Sequence, residues 1–226
     1  INEIARIAAK STLTPVEEVE ILKQLCEDAR NSKHQFAQAY IFYKSFNSDS
    51  WAVDTWKIIK EISDNEDVYV SFFLPLPQRM NNWQLLETAT EYVSNSYWKK
   101  VNFWLNQKNV DEKNYVIEKL MAAKRYLALI DETWYFAEEI SSKVIFEILR
   151  GAATEKTEEN SHIDNYHVSK LFEVLHRRED VPKEEMILLE WMYLSFLTGD
   201  HGDHKPQNLF SELSNDPYFF VEAIKC

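Results

Sequence analysis

The chain is 226 residues long, 45% hydrophobic and 14% aromatic, with 37 acidic against 25 basic side chains and a formal net charge of −12. An acidic surface repels phosphate backbones, and the longest basic runs are Lys99-Lys100 and His176-Arg177-Arg178, so no nucleic-acid interface is expected, while the apolar share is ample for a packed core of one or two domains. Only 3 glycines occur, none before position 151, which removes the phosphate loops, tight hairpins and nucleophile elbows that depend on glycine's backbone freedom.

Helical periodicity starts at once. Ile4, Ile7 and Ala8 mark a short first helix. Thr14-Pro15-Val16-Glu17 then reads as a capping box, with Pro15 in the first turn and Val16, Val19, Leu22, Cys26 and Ala29 following at helical spacing. Phe36, Tyr40 and Tyr43 mark the next helix, and Trp51, Thr55, Ile58, Ile59 and Ile62 another. Residues 67–74 read as a short helix stopped by Pro75 and Pro77; alternation of Val68, Val70 and Phe72 also fits a strand, which would lack a partner. Trp83, Leu86, Ala89, Val93, Tyr97, Val101 and Trp104 share a face of one long helix or two in tandem. Asp111 caps the next, carried by Val116, Leu120, Ala123, Leu127 and Ile130 and extended by Trp134 and Ala137; Ile140, Val144, Ile148 and Leu149 continue after a break.

Residues 151–160 form a polar, acidic loop, and Ser161 with Asp164 resembles a capping box before Val168, Leu171, Phe172 and Leu175. The run from Met186 to Leu194 is hydrophobic nearly all round, so its helix is expected to be packed on more than one side, ending at Gly199. Asn215-Asp216-Pro217 opens the last helix. The expected fold is therefore all-α: about a dozen helices in an irregular α/α superhelix or solenoid-like array, although no fixed repeat period near 34 or 40 residues is visible.

Two cysteines, Cys26 and Cys226, give no disulfide framework, and Cys26 on an apolar helical face reads as a buried thiol. The longest apolar stretch, 68–76, is about half of the ~20 residues a membrane helix needs. The chain shows no charged-then-apolar signal segment, so a cytoplasmic location is expected. The missing initiator and the apolar run before Cys226 suggest an internal piece of a larger protein. It is read as a single module, 1–226, with 1–108 and 109–226 as its sub-halves.

Chemistry concentrates in His201-Gly202-Asp203-His204-Lys205-Pro206-Gln207-Asn208. The pattern His-x-Asp-x-Lys-Pro-x-Asn matches the catalytic loop of protein kinases and resembles that of aminoglycoside-type phosphotransferases. There the Asp orients the attacking hydroxyl and the Asn holds a metal ion. The rest of a kinase is missing from the sequence: no Gly-rich loop precedes the motif, no Val-Ala-x-Lys occurs, and no Asp-Phe-Gly follows. Asp200, His201, Asp203 and His204 are also candidate metal ligands, but His-x-x-His in a loop lacks the fixed facing of helical placement, so a solvated acidic turn is the plainer reading. Glu138-Glu139 and Glu184-Glu185 are adjacent on helices and point apart, which suits solvated faces better than shared-proton chemistry. Of seven tryptophans, most are expected in the core, with one or two as exposed anchors for a protein partner.

Three stretches look familiar together. They are Asn82-Trp83 with Leu86 and Tyr97-Trp98-Lys99-Lys100-Val101, then the run from Leu188 to Leu194, and finally Leu209-Phe210 with Leu213 and Asp216-Pro217-Tyr218-Phe219-Phe220. This combination resembles the C-terminal helical-repeat region of large, mostly uncharacterised bacterial proteins, some of which resemble STAND-type NTPases of phage defence. The likeness spans 81–224 and its motifs are apolar and aromatic. It implies a helical sensor or interaction region and carries over no active-site residue. No Gly-x-x-x-x-Gly-Lys-Ser/Thr element occurs in the chain. The expectation is a non-enzymatic scaffold that binds protein, its own chain's other domains or a foreign one, with no cofactor, nucleic acid or membrane. The alternative is a phosphotransferase-like or metal-dependent enzyme using residues 201–208.

Overall fold

A computed structural model describes residues 1–105, 108–155, 164–197 and 205–216, with Tyr218 and Val221. Among these the fold is all-α, a packed array of short helices without a strand. The chain forms two compact units, Ile1–Phe103 and Trp104–Cys226.

The first unit begins with α1 (Asn2–Lys10), packed on α3 (Ser32–Asn47). The buried face of α1 is Ala5 and Ala9 against Tyr40, while Ile4 and Ile7 are 65% and 56% exposed, opposite to expectation. Small residues let the two backbones approach, and the large β-branched ones are left on the outer side. Between them, α2 (Pro15–Leu22) has the predicted capping box: the Thr14 hydroxyl accepts from the Glu17 amide and the Glu17 carboxylate accepts from the Thr14 amide. A 3-10 turn, Lys23–Cys26, follows. Its tighter period rotates the apolar stripe of α2 out of phase, and Cys26 is exposed rather than buried.

Next come α4 (Asp49–Ile62) and α5 (Glu66–Phe73), the latter capped by Asn65, whose side chain accepts from the Asp67 amide at 2.9 Å. The strand-like alternation in α5 is explained by burial on more than one side, since Val68, Val70, Phe72 and Phe73 are all buried. Trp56 of α4 stacks on Phe72 at 5.8 Å and touches Phe73 at 4.8 Å. The tandem reading of 83–101 is correct: α6 (Met80–Leu86) and α7 (Glu91–Lys100) are separated by a turn in which Thr90 caps the second helix. Trp98 stacks on Phe103 at 5.3 Å.

The second unit starts with Trp104, which is 71% exposed, not on the apolar face expected of it. The chain turns extended at Val101, ending the helical register that placed it there. In α8 (Val110–Ala122) the cap is Asn109, accepting from the Glu112 amide, and Asp111 stands in the first turn instead. Lys124, at φ 57, reverses the chain into α9 (Tyr126–Thr133). A 3-10 segment, Trp134–Glu139, is broken at Phe136 (φ −124) and leads to α10 (Ser142–Thr154). Gly151, expected in a surface loop, lies inside α10, where the Tyr126 ring occupies the space a Cβ would need.

Asp164 caps α11 (Asn165–Arg178), accepting from the Tyr166 amide at 2.8 Å; Ser161 lies outside the described residues. Then come α12 (Lys183–Met192), α13 (Leu194–Leu197) and α14 (Gln207–Asn215). The expectation that the helix of the 186–194 run is packed on more than one side fails: its buried residues share one face. Met186, Leu189, Glu190 and Tyr193 face inward, while Leu188 is 55% exposed and Trp191 and Met192 are 37% exposed. The inward face holds a carboxylate, so part of the run's hydrophobicity is turned outward. Gly199 and Pro217 lie outside the described residues, as does the loop 156–160; Asp216 accepts from the Tyr218 amide at 2.9 Å. Helices α10, α11 and α12 enclose the core of this unit, in which Phe172 meets Tyr193 edge-on and the Tyr193 hydroxyl donates to the Leu149 carbonyl at 2.8 Å.

Candidate functional site

The densest polar arrangement in the second unit surrounds Glu190. Its side chain is fully buried on the inner face of α12, where an uncompensated carboxylate is untenable. Four donors meet it. Oε1 accepts from His176 Nε2 at 2.5 Å, from the Asn208 amide at 3.2 Å and from Asn208 Nδ2 at 3.0 Å; Oε2 accepts from the Leu209 amide at 2.6 Å. The His176 side chain, on the last turn of α11, is itself only 7% exposed. Burial pulls the Glu190 carboxyl upward, but the bonds from His176, Leu209 and Asn208 outweigh it and hold the group below the ordinary glutamate value.

The reason lies in the start of α14. Its N-cap is Pro206, which has no side-chain oxygen to offer, so the opening amides have no local acceptor. Glu190 supplies that acceptor from another helix, and its negative charge suits the positive end of α14. Beside this contact lies a cavity of about 650 Å³, lined by His176, Asp180, Lys183, Met186, Gln207 and Asn208 among others. Lys183 reaches Glu212 of α14 at 2.7 Å.

Of the residues of the kinase-like pattern and the candidate metal ligands, Asp200, His201, Asp203 and His204 lie outside the described residues. Its last member is described: the Asn208 side chain donates to Glu190 and ties α14 to α12. Lys205 is exposed and Pro206 buried. Among the described residues no three His, Cys, Asp or Glu side chains gather as metal ligands. His167 is far along α11 from His176; it lies 2.9 Å from Asp131 and stacks on Trp134 at 4.7 Å. The two glutamates of the 138–139 pair do point apart: Glu138 binds Arg177 and Arg178, and Glu139 binds Lys113 at 2.7 Å.

Sequence reasoning flagged His176 and Asn208 separately and passed over Glu190. The available signal was a charged residue at a core-facing position of an apolar run, since a buried carboxylate requires partners. Of the tryptophans, Trp56, Trp83 and Trp98 are buried, whereas Trp104 and Trp191 are exposed. No helix among the described residues is long and apolar enough to cross a membrane. No protein-family model, curated protein or solved structure matches the chain.

Proposed function

We propose that this chain is a non-enzymatic helical scaffold whose activity is to bind protein. The observation that carries the reading is the outward face of α12, where Leu188, Trp191 and Met192 stand at helical spacing and are all exposed, on the side away from Met186, Leu189 and Glu190. Tryptophan and methionine are enriched where proteins meet, and an exposed apolar stripe is the usual mark of such a surface. A second pair of the same kind, Phe42 and Phe46, is exposed on α3 of the first unit. The charge of −12 argues against a nucleic-acid partner. The sequence resemblance to helical regions of large bacterial proteins, some of phage-defence type, supports a role as the sensor or interaction part of such a protein.

The test is a Leu188→Asp/Trp191→Asp variant expressed at native level in its own cells and compared with wild type by affinity purification. With helicity and melting temperature unchanged, loss of the wild-type set of co-purifying proteins supports the reading. Retention of the same set by the folded variant refutes it.

A further inference from the structure

Helix α14 is held in an unusual way. Leu209 is its one residue classed as buried, and Phe210 is 41% exposed. Its packing is mainly on α12. Leu213 is half-buried, and the polar hold lies at defined points: the opening amides and the Asn208 side chain on Glu190, and Glu212 on Lys183. Helices with so little buried apolar area belong to the low-stability end of a native structure. Glu190, in contrast, is fully buried and needs an acceptor-hungry helix start opposite it, whichever helix provides one.

We propose that the face of α12 beneath α14 is a helix-binding site, filled in this chain by α14 itself and open to exchange with α14 of a second copy. The site reads three features. A helix start without its own side-chain cap presents consecutive amides to Glu190. A leucine at the third helical position fills the space beside them. An acid three residues further on, as Glu212 stands to Leu209, meets Lys183 at the rim. Any second copy carries this set, so a reciprocal exchange satisfies both sites with the bonds seen here, which is the usual economy of swapped dimers. The inference goes beyond the reading of the outer α12 stripe and does not depend on it, because it concerns the opposite side of that helix.

Two measurements on the whole chain test it. In native-state hydrogen exchange of the wild type, the amides of Asn208 and Leu209 should exchange at least roughly a hundredfold faster than those of Leu171 and Phe172 in α11. Equal protection would mean that α14 opens only with the whole unit, and would overturn the proposal. The second measurement uses the rim pair, whose side chains are 51% and 31% exposed and tolerate substitution without loss of the core. Lys183→Glu and Glu212→Lys chains are each self-repelling at this contact, yet a mixture offers each site an attractive partner. Sedimentation of the equimolar mixture should give a dimerisation constant roughly tenfold above that of either variant alone, the scale set by flipping two surface ion pairs. A mixture no more dimeric than its components would overturn the exchange.

Discussion

Gly151→Ala is expected to destabilise the second unit although Gly151 sits inside a helix. In an open helical position alanine is better than glycine by about 1 kcal/mol, because glycine loses more backbone freedom on folding. At position 151 the added Cβ would stand 2.4 Å from Tyr126 Cδ1 and 2.5 Å from its Cγ and Cε1, against the ~3.5–4.0 Å of an ordinary carbon contact. Cγ is one bond from the Tyr126 backbone-proximal carbon, so the ring cannot clear the methyl by swinging its tip. Either its first torsion changes or the start of α9 moves away from α10. Overpacking of this kind costs about 1–3 kcal/mol, which exceeds the propensity gain. At the middle of that range the net loss is about 1 kcal/mol, which lowers the melting temperature by roughly 2–4 °C at this size. The decisive assay is urea unfolding of Gly151→Ala in two backgrounds. With Tyr126 present the substitution should destabilise; with Tyr126→Ala it should become neutral or stabilising. A higher stability for Gly151→Ala with Tyr126 intact would refute the account of this contact.

Three further outcomes follow from individual contacts. Glu18 Oε1 accepts from both Tyr40 Oη at 2.7 Å and Trp51 Nε1 at 2.9 Å, so Glu18→Ala should cost about 1–3 kcal/mol by leaving the buried Tyr40 and the half-buried Trp51 without this acceptor; chemical denaturation reports it, and a loss no larger than that of an exposed Glu20→Ala control would contradict it. Thr14→Ala removes one half of the capping box of α2 and should cost about 1 kcal/mol, with Thr14→Ser restoring most of it in the same assay. Glu190 sits below its ordinary value of 4.5 in the folded chain, so its contribution is complete above that pH and is lost as the pH falls through the lower folded value. Urea stability measured between about pH 3 and pH 6 should therefore fall less steeply on the acid side in Glu190→Gln than in wild type, after allowing for the variant's lower plateau; parallel acid limbs would count against it.

Much of the helical order was legible because single residues announce it. Thr14 with Glu17, and Pro75 with Pro77, set starts and stops through local backbone chemistry. Facing was less legible. Ile4 and Ile7 look like core residues, yet Ala5 and Ala9 are buried because α3 comes close enough to exclude anything larger. Cys26 and Trp104 both lie just after a change of period, where a stripe extrapolated at 3.6 residues per turn points the wrong way. Glu190 escaped notice for a different reason. Its partners come from residues 176, 208 and 209, on two other helices, and one-dimensional spacing does not carry that proximity.

Two other amides of the second unit borrow acceptors in the opposite chain direction. The Leu127 amide at the beginning of α9 donates to Glu155, at the end of α10, at 3.0 Å, and the Leu105 amide donates to Glu132 at 3.0 Å. Each of these upstream amides is therefore synthesised before the carboxylate that completes it. A chain ending at residue 150 would leave the Leu127 amide, at the start of α9, without its acceptor Glu155.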